Sequence, residues 1–361
     1  MIKTLSPHIK TIPWISPSSV TIPEKYILEI YIWNGDKTSV PISTPYNINN
    51  VNPLARLGNS FVNISNYIND ILTTELYQSS TTQLISTNSQ VWVKTQVIYY
   101  IGGVAQTPEF QEIDLAIKGY TYGMDGVNGG TPSNGVLSPV NELKVNSDSF
   151  FTIPVFLSET LDTDITVISY PNNVINEVYN EPLTIDSTNS VKAVWINVSE
   201  AVNEEFIEIN YNGNVVCTLL IKTELRYSPK DIFFVDKEGQ LQSVTFFKEK
   251  KDTIELKSES YENGSGQPLD GVHQVVDYNQ SAKVQFTINT GFISEDNNEV
   301  IKQLLIKKQS WIYDGSIYTP VRVTSSSTEF KTRQRDRLIN YTIDFDYAFN
   351  EVNNIWQQQY T

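Results

Sequence analysis

Hydrophobic and polar positions alternate with period two over much of this chain, and the clearest run lies between residues 281 and 348. Ala282, Val284, Phe286 and Ile288 alternate with Lys283, Gln285 and Thr287. Ile339, Tyr341, Ile343, Phe345 and Tyr347 alternate with Asn340, Thr342, Asp344 and Asp346. Successive strand side chains point to opposite faces, so both segments are expected as half-buried strands. Between them Val300, Ile301, Leu304 and Leu305 recur at helical spacing, with Glu295 and Asp296 near the start and Lys302, Lys307 and Lys308 near the end. That charge order suits the helix dipole and predicts one amphipathic helix over 295–308. Trp311, Ile312 and Tyr313, the turn signal Asp314-Gly315, and residues 317–324 predict a hairpin.

The same patterning runs through the rest of the chain. Residues 26–33 read as a strand ending in Asn34-Gly35, a type I′ hairpin signal. Residues 61–72 read as a short strand followed by a short helix capped by Ser65 and burying Ile68, Ile71 and Leu72, with an uninterrupted helix over 60–77 as the competing assignment. Residues 91–101 and the Gly102-Gly103 turn predict a second hairpin. Apolar runs at 151–157, 165–170, 191–198 and 206–221, with Asn212-Gly213 inside the last, suggest an immunoglobulin-like sandwich of about ninety residues. A short echo between residues 61–68 and 195–202 is consistent with two related sandwiches in tandem. Residues 232–235 and 241–247 flank a turn at 236–239, and 253–260 form another alternating strand before a polar loop.

The expected organisation is mainly β. A Pro-rich extended arm over 1–23 holds Pro7, Pro13, Pro17 and Pro23, with Ile12 and Trp14 as its anchor on a neighbouring subunit or on its own surface. A β-sandwich with a short helix follows over 24–136 and ends in a Gly-rich loop at 119–136. That loop lacks the later Glu of a calcium loop and is read as a linker. The immunoglobulin-like sandwich occupies 137–225, and 226–361 form a β-barrel or sandwich with one covering helix.

Composition narrows the function classes. A formal charge of -15 argues against nucleic acid as a partner, because neutralising phosphates needs a dominant basic face. The single cysteine, Cys217, allows no disulfide within the chain and is read as a strand core residue. Residues 1–10 hold no continuous apolar stretch of the signal-peptide kind, and no run approaches the length of a membrane span. Synthesis in a cytosol without a signal peptide, and no membrane insertion, are therefore expected.

His8 and His273 stand apart, with no ligand or triad partner at useful spacing, and no phosphate loop or dinucleotide fingerprint occurs. Paired acidic residues such as Asp162 with Asp164 and Asp344 with Asp346 are read as solvated faces. The expectation is no enzyme, no metal and no cofactor. One cluster departs from the acidic background: Lys331, Arg333, Arg335 and Arg337 recur at period two, so in an extended segment they project from one side. Two readings stand, a solvated edge that blocks unwanted pairing and a strip that meets an acidic surface of a neighbouring subunit.

Residues 226–239 with 244–248, residues 290–295 with the following helix, 318–324 and 338–348 together resemble virion structural proteins of tailed bacteriophages. The strand, helix, hairpin, strand order is similar to the β-barrel shared by tail-tube, distal-tail and related baseplate or ring proteins. The resemblance implies a homo-oligomeric ring or adaptor in a virion tail, whose partners are itself and other tail proteins. A receptor- or carbohydrate-binding tail protein contacting a host-surface glycan is the alternative, and a polysaccharide depolymerase is third.

Overall fold

The computed structural model describes residues 1–14, 21–41, 45–51, 58–74, 76–86, 90–125, 135–137, 140–157, 163–170, 176–183, 190–201, 205–211, 213–262, 273–325, 339–349 and 352–353. Among the described residues the chain is mainly β.

The N-terminal third contains β1 (Ile2–Lys3), β2 (Ile9–Pro13), β3 (Lys25–Trp33), β4 (Tyr46–Val51), β5 (Asn59–Asn63), α1 (Ser65–Asn69), β6 (Gln83–Ser86), β7 (Gln90–Ile101), β8 (Val104–Ala105) and β9 (Glu109–Ile117). Strands β1, β9, β7, β3 and β4 form one sheet in that order, with β8 paired to β7. Period-two alternation divides its faces: Tyr26, Leu28, Ile30, Val93 and Val97 pack with α1, and Trp33, Trp92, Leu115 and Ile117 fill the other side. The Gly102-Gly103 turn is a two-residue hairpin with both φ positive, as the sequence predicts.

Two local expectations fail here. Asn34-Gly35 does not close a tight hairpin, because β3 pairs with β4 only from Ile30 opposite Tyr46, across a long connection. Gly35 still has positive φ, and its carbonyl accepts from the Trp92 indole N–H. Ser65 is the first residue of α1 and not its cap, and its hydroxyl instead donates to the Ser6 carbonyl. The helix ends at Asn69, so Ile68 and Leu72 are buried while Ile71 is exposed.

The middle third contains β10 (Gly135–Val136), β11 (Glu142–Asn146), β12 (Phe150–Leu157), β13 (Thr163–Tyr170), β14 (Asn176–Leu183), β15 (Ser190–Asn197), β16 (Phe206–Tyr211) and β17 (Asn214–Lys222). One sheet runs β10-β12-β15-β6 and the other β11-β17-β16-β13-β14. Strand β6, which falls within residues 24–136, thus pairs with β15 in register from Gln83 opposite Trp195. Phe151, Ile153, Val194 and Ile196 of the first sheet share a core with Ile165, Ile207, Cys217 and Leu219 of the second. The reverse face of the first sheet is covered as well. Val191 and Phe156 meet Trp33 and Trp92, while Ala193 and Trp195 meet Phe233 and Leu241. Burial on both faces explains why 191–198 is an almost continuous apolar run.

The last third contains β18 (Lys230–Val235), β19 (Leu241–Phe246), β20 (Lys251–Glu262), β21 (Val275–Asn289), α2 (Asn298–Ile306), β22 (Ser310–Tyr313), β23 (Tyr318–Val323), β24 (Thr342–Tyr347) and β25 (Val352–Asn353). Its eight-stranded sheet runs β19-β18-β22-β23-β24-β21-β20, with β25 on β21. The helix expected over 295–308 is a 3-10 turn, Glu295–Asn297, opened by Ser294 accepting the Asp296 N–H, followed by α2. Val300, Ile301 and Leu304 of α2 join Phe234, Phe286, Ile343 and Phe345 in the cluster that also holds the middle core.

Candidate assembly surface

Ile12 and Trp14 are buried within their own chain, 2% and 8% exposed. The Trp14 ring lies 5.1 Å from that of Tyr26, and the Tyr99 hydroxyl donates to the Pro13 carbonyl at 2.7 Å. Strand β2 pairs with β5, and β1 runs parallel to β9, so the described part of the N-terminal arm belongs to this chain's own sheets. Neither anchor is presented at the surface. Lys331, Arg333, Arg335 and Arg337 lie outside the described residues.

The surface that stands out is the ribbon of β20 and β21. All twelve residues of β20 are exposed, and the strand ends the eight-stranded sheet with its outer edge unpaired among the described residues. At about 3.3 Å per residue it spans roughly 40 Å. Its first half extends the core face of the sheet: Asp252 lies opposite buried Phe286, Ile254 opposite Val284, and Leu256 opposite buried Ala282. On β20 those positions have no cover, leaving Ile254 60% and Leu256 74% exposed. Lys250 sits where the core stops, its ammonium 4.8 Å above the Phe286 ring and bonded to Asp252 and the Tyr347 hydroxyl.

The second half stands free of the sheet. Strand β21 pairs with β24 over 285–289 and with β25 at 281–282. Residues 275–278 pair only with β20 among the described residues, beyond a bulge between Lys257 and Glu259. The Tyr261 and Tyr278 rings, 5.9 Å apart, pack against each other on this extension. A two-stranded ribbon with no third layer is marginal in water, and a long edge strand carrying exposed apolar side chains is a template for pairing. The sequence shows the alternation of Thr253, Glu255 and Lys257 with Ile254 and Leu256. The edge position is set by pairing across the sheet and has no local signal.

The base of the molecule is, by contrast, tightly interlocked. The turn 236–240 between β18 and β19 inserts between the end of β9 and α2. Tyr120 N–H donates to the Lys237 carbonyl, and Lys237 N–H donates to Gln303. Asp236 Oδ1 accepts from Glu238 and Gln240 N–H groups. Burial, and then the negative charge of Glu238, push the Asp236 carboxyl up to about 7. Tyr122 donates to Glu299 at 2.5 Å beneath the Lys302 ammonium, 3.7 Å from the ring, and burial raises this phenol above its ordinary range. The sequence showed 236–239 only as a turn.

Burial shifts other titratable groups as well. Asp231 is buried, accepts from Ser149 and Thr245 hydroxyls, and is raised by burial to about 6 where it lines a polar cleft beside Asp148, Glu224 and Tyr227. His8 is pushed down to about 4 by burial and by nearby Lys10, so its imidazole is neutral at pH 7. His273 is exposed. Among the described residues no group of three or more His, Cys, Asp or Glu is placed to hold a metal ion, and no helix is long and apolar enough to cross a membrane. No family model, curated protein or solved structure matches this chain.

Proposed function

We propose that this chain is a non-enzymatic structural subunit of a bacteriophage tail, a baseplate, ring or adaptor protein that assembles with copies of itself and contacts other tail proteins. In this reading the N-terminal and middle sheets are tandem immunoglobulin- or fibronectin-like sandwiches. The C-terminal sheet with α2 is the barrel-like assembly domain, and the protein resides in the virion. The observation that carries the reading is β20: a twelve-residue edge strand, exposed throughout, beside sheets that share cores with one another. Burial of Ile254 and Leu256 is the gain that pairing with another copy supplies. The resemblance of 226–348 to virion proteins gives that assembly its setting.

Size-exclusion chromatography with light scattering tests the reading. The expected result is a discrete multiple of the 41.0 kDa chain. A monomer at every concentration that binds a glycan array, or that cleaves host polysaccharide, would overturn it.

A further inference from the structure

We infer that the outer edge of β20 pairs with β20 of a second copy, antiparallel, about a twofold axis at Leu256. The inference rests on the self-assembly reading and adds the element, the partner strand and the register. The charge pattern of the strand and the cover of Leu256 together select that register, since axes at Thr253 or Ser258 also avoid like charges but leave Leu256 opposite Lys250 or Ser260. In an antiparallel pair opposite side chains share a face, so registers that keep apolar residues on the apolar face place Ile254 and Leu256 opposite even-numbered positions. With the axis at Ile254, Lys251 lies opposite Lys257, and with it at Glu255, that residue meets itself. With the axis at Lys257 the lysines face each other. Like charges directly opposite destabilise a pair.

With the axis at Leu256 no like charges face each other. Leu256 meets Leu256, Ile254 meets Ser258, and Glu255 meets Lys257 twice, once on each side of the axis. Within one chain Lys257 already leans on Glu255, 3.4 Å away along the same strand, and both side chains are well exposed. Pairing lets each ion find its partner across the strand while the exposed leucines cover one another. The product is a continuous sheet through β21-β20-β20-β21. A twofold contact cannot close a ring by itself, so this contact makes a dimeric unit, and an assembly built from such units has an even number of copies.

The test uses Leu256→Cys in the full chain. Cys217, the one native cysteine, is buried, and residue 256 is exposed, so the new thiol is introduced without disturbing the core. Paired Cα atoms across antiparallel strands lie about 4.5–5.5 Å apart, within disulfide reach. Mild oxidation should therefore give a covalent dimer. Glu259→Cys is the control: its two copies would be six residues out of register, about 20 Å apart, and should stay uncrosslinked.

Charge swapping supplies a second readout. Glu255→Lys and Lys257→Glu should each weaken dimerisation about tenfold at low salt, and the double variant should restore it. An assembly of the expected mass in which Leu256→Cys does not crosslink, or in which the double variant stays as weak as the singles, overturns this pairing and leaves self-assembly standing. A chain that is monomeric at all concentrations overturns both.

Discussion

Lys3 Nζ lies 2.9 Å from Glu238 Oε1, an ion pair between residues 235 positions apart that fastens the N-terminal sheet to the turn between β18 and β19. Both side chains are almost enclosed, 9% and 6% exposed. Breaking such a pair from one side leaves a buried charge without its partner and costs about 3–5 kcal/mol. Lys3→Met should lower the urea midpoint of the full chain accordingly. Lys3→Met combined with Glu238→Met should lose less than the sum of the two single changes, because the stranded charge is gone.

Asp236, two residues away, makes the same junction pH-dependent. Its carboxyl titrates at the ordinary 3.8 in the unfolded chain and at about 7 in the folded one. The folded state therefore holds a proton that the unfolded state releases between those values. The contribution of this group to stability is complete below 3.8, is lost as pH rises to about 7, and is constant above. Asp236→Asn keeps an oxygen for the Glu238 and Gln240 N–H groups but has no proton to lose. The variant should match its parent near pH 4 and exceed it by on the order of 4 kcal/mol at pH 8. Urea midpoints of both proteins across that range check the prediction, and a difference independent of pH would refute it.

The junction also leaves no room for a methyl group. A Cβ on Gly119 would stand 2.5 Å from the Lys237 carbonyl oxygen, and one on Gly239, at φ +77°, would stand 2.6 Å from the Lys118 carbonyl carbon. Gly103, at φ +78°, has open space around it. Gly103→Ala should cost about 1–2 kcal/mol for the left-handed backbone alone. Gly239→Ala should cost about 1–3 kcal/mol more, for the same backbone plus the collision. Gly119→Ala isolates the collision. Denaturation midpoints of the three variants should rank Gly239→Ala as the most damaging.

Elements whose neighbours lie nearby in the chain are legible in the sequence. The period-two runs through Phe286 and Phe345, the Gly102-Gly103 hairpin and the apolar face of α2 all depend on residues a few positions apart. Features set by long-range pairing have no local signal. Strand β6 joins β15 across more than a hundred residues, Gly119 meets Gly239, and β20 ends its sheet. Ser65 matched a cap by residue type, but its hydroxyl is taken by Ser6, 59 positions earlier. Ile12 and Trp14 are anchors within the chain, in one cluster with Tyr26 and Tyr99. The fourfold basic strip falls outside the described residues, so the candidate surface argued from structure is a different one, β20.

Amide hydrogen exchange of residues 251–262 tests the central claim most directly. Measured on the dilute monomer and on the concentrated, assembled chain, the outward-facing amides of β20 should exchange quickly in the first and slow by at least about tenfold in the second, as pairing protects them. Growth in mass with exchange over 251–262 unchanged would contradict the account, because the chain would then be assembling through some other surface.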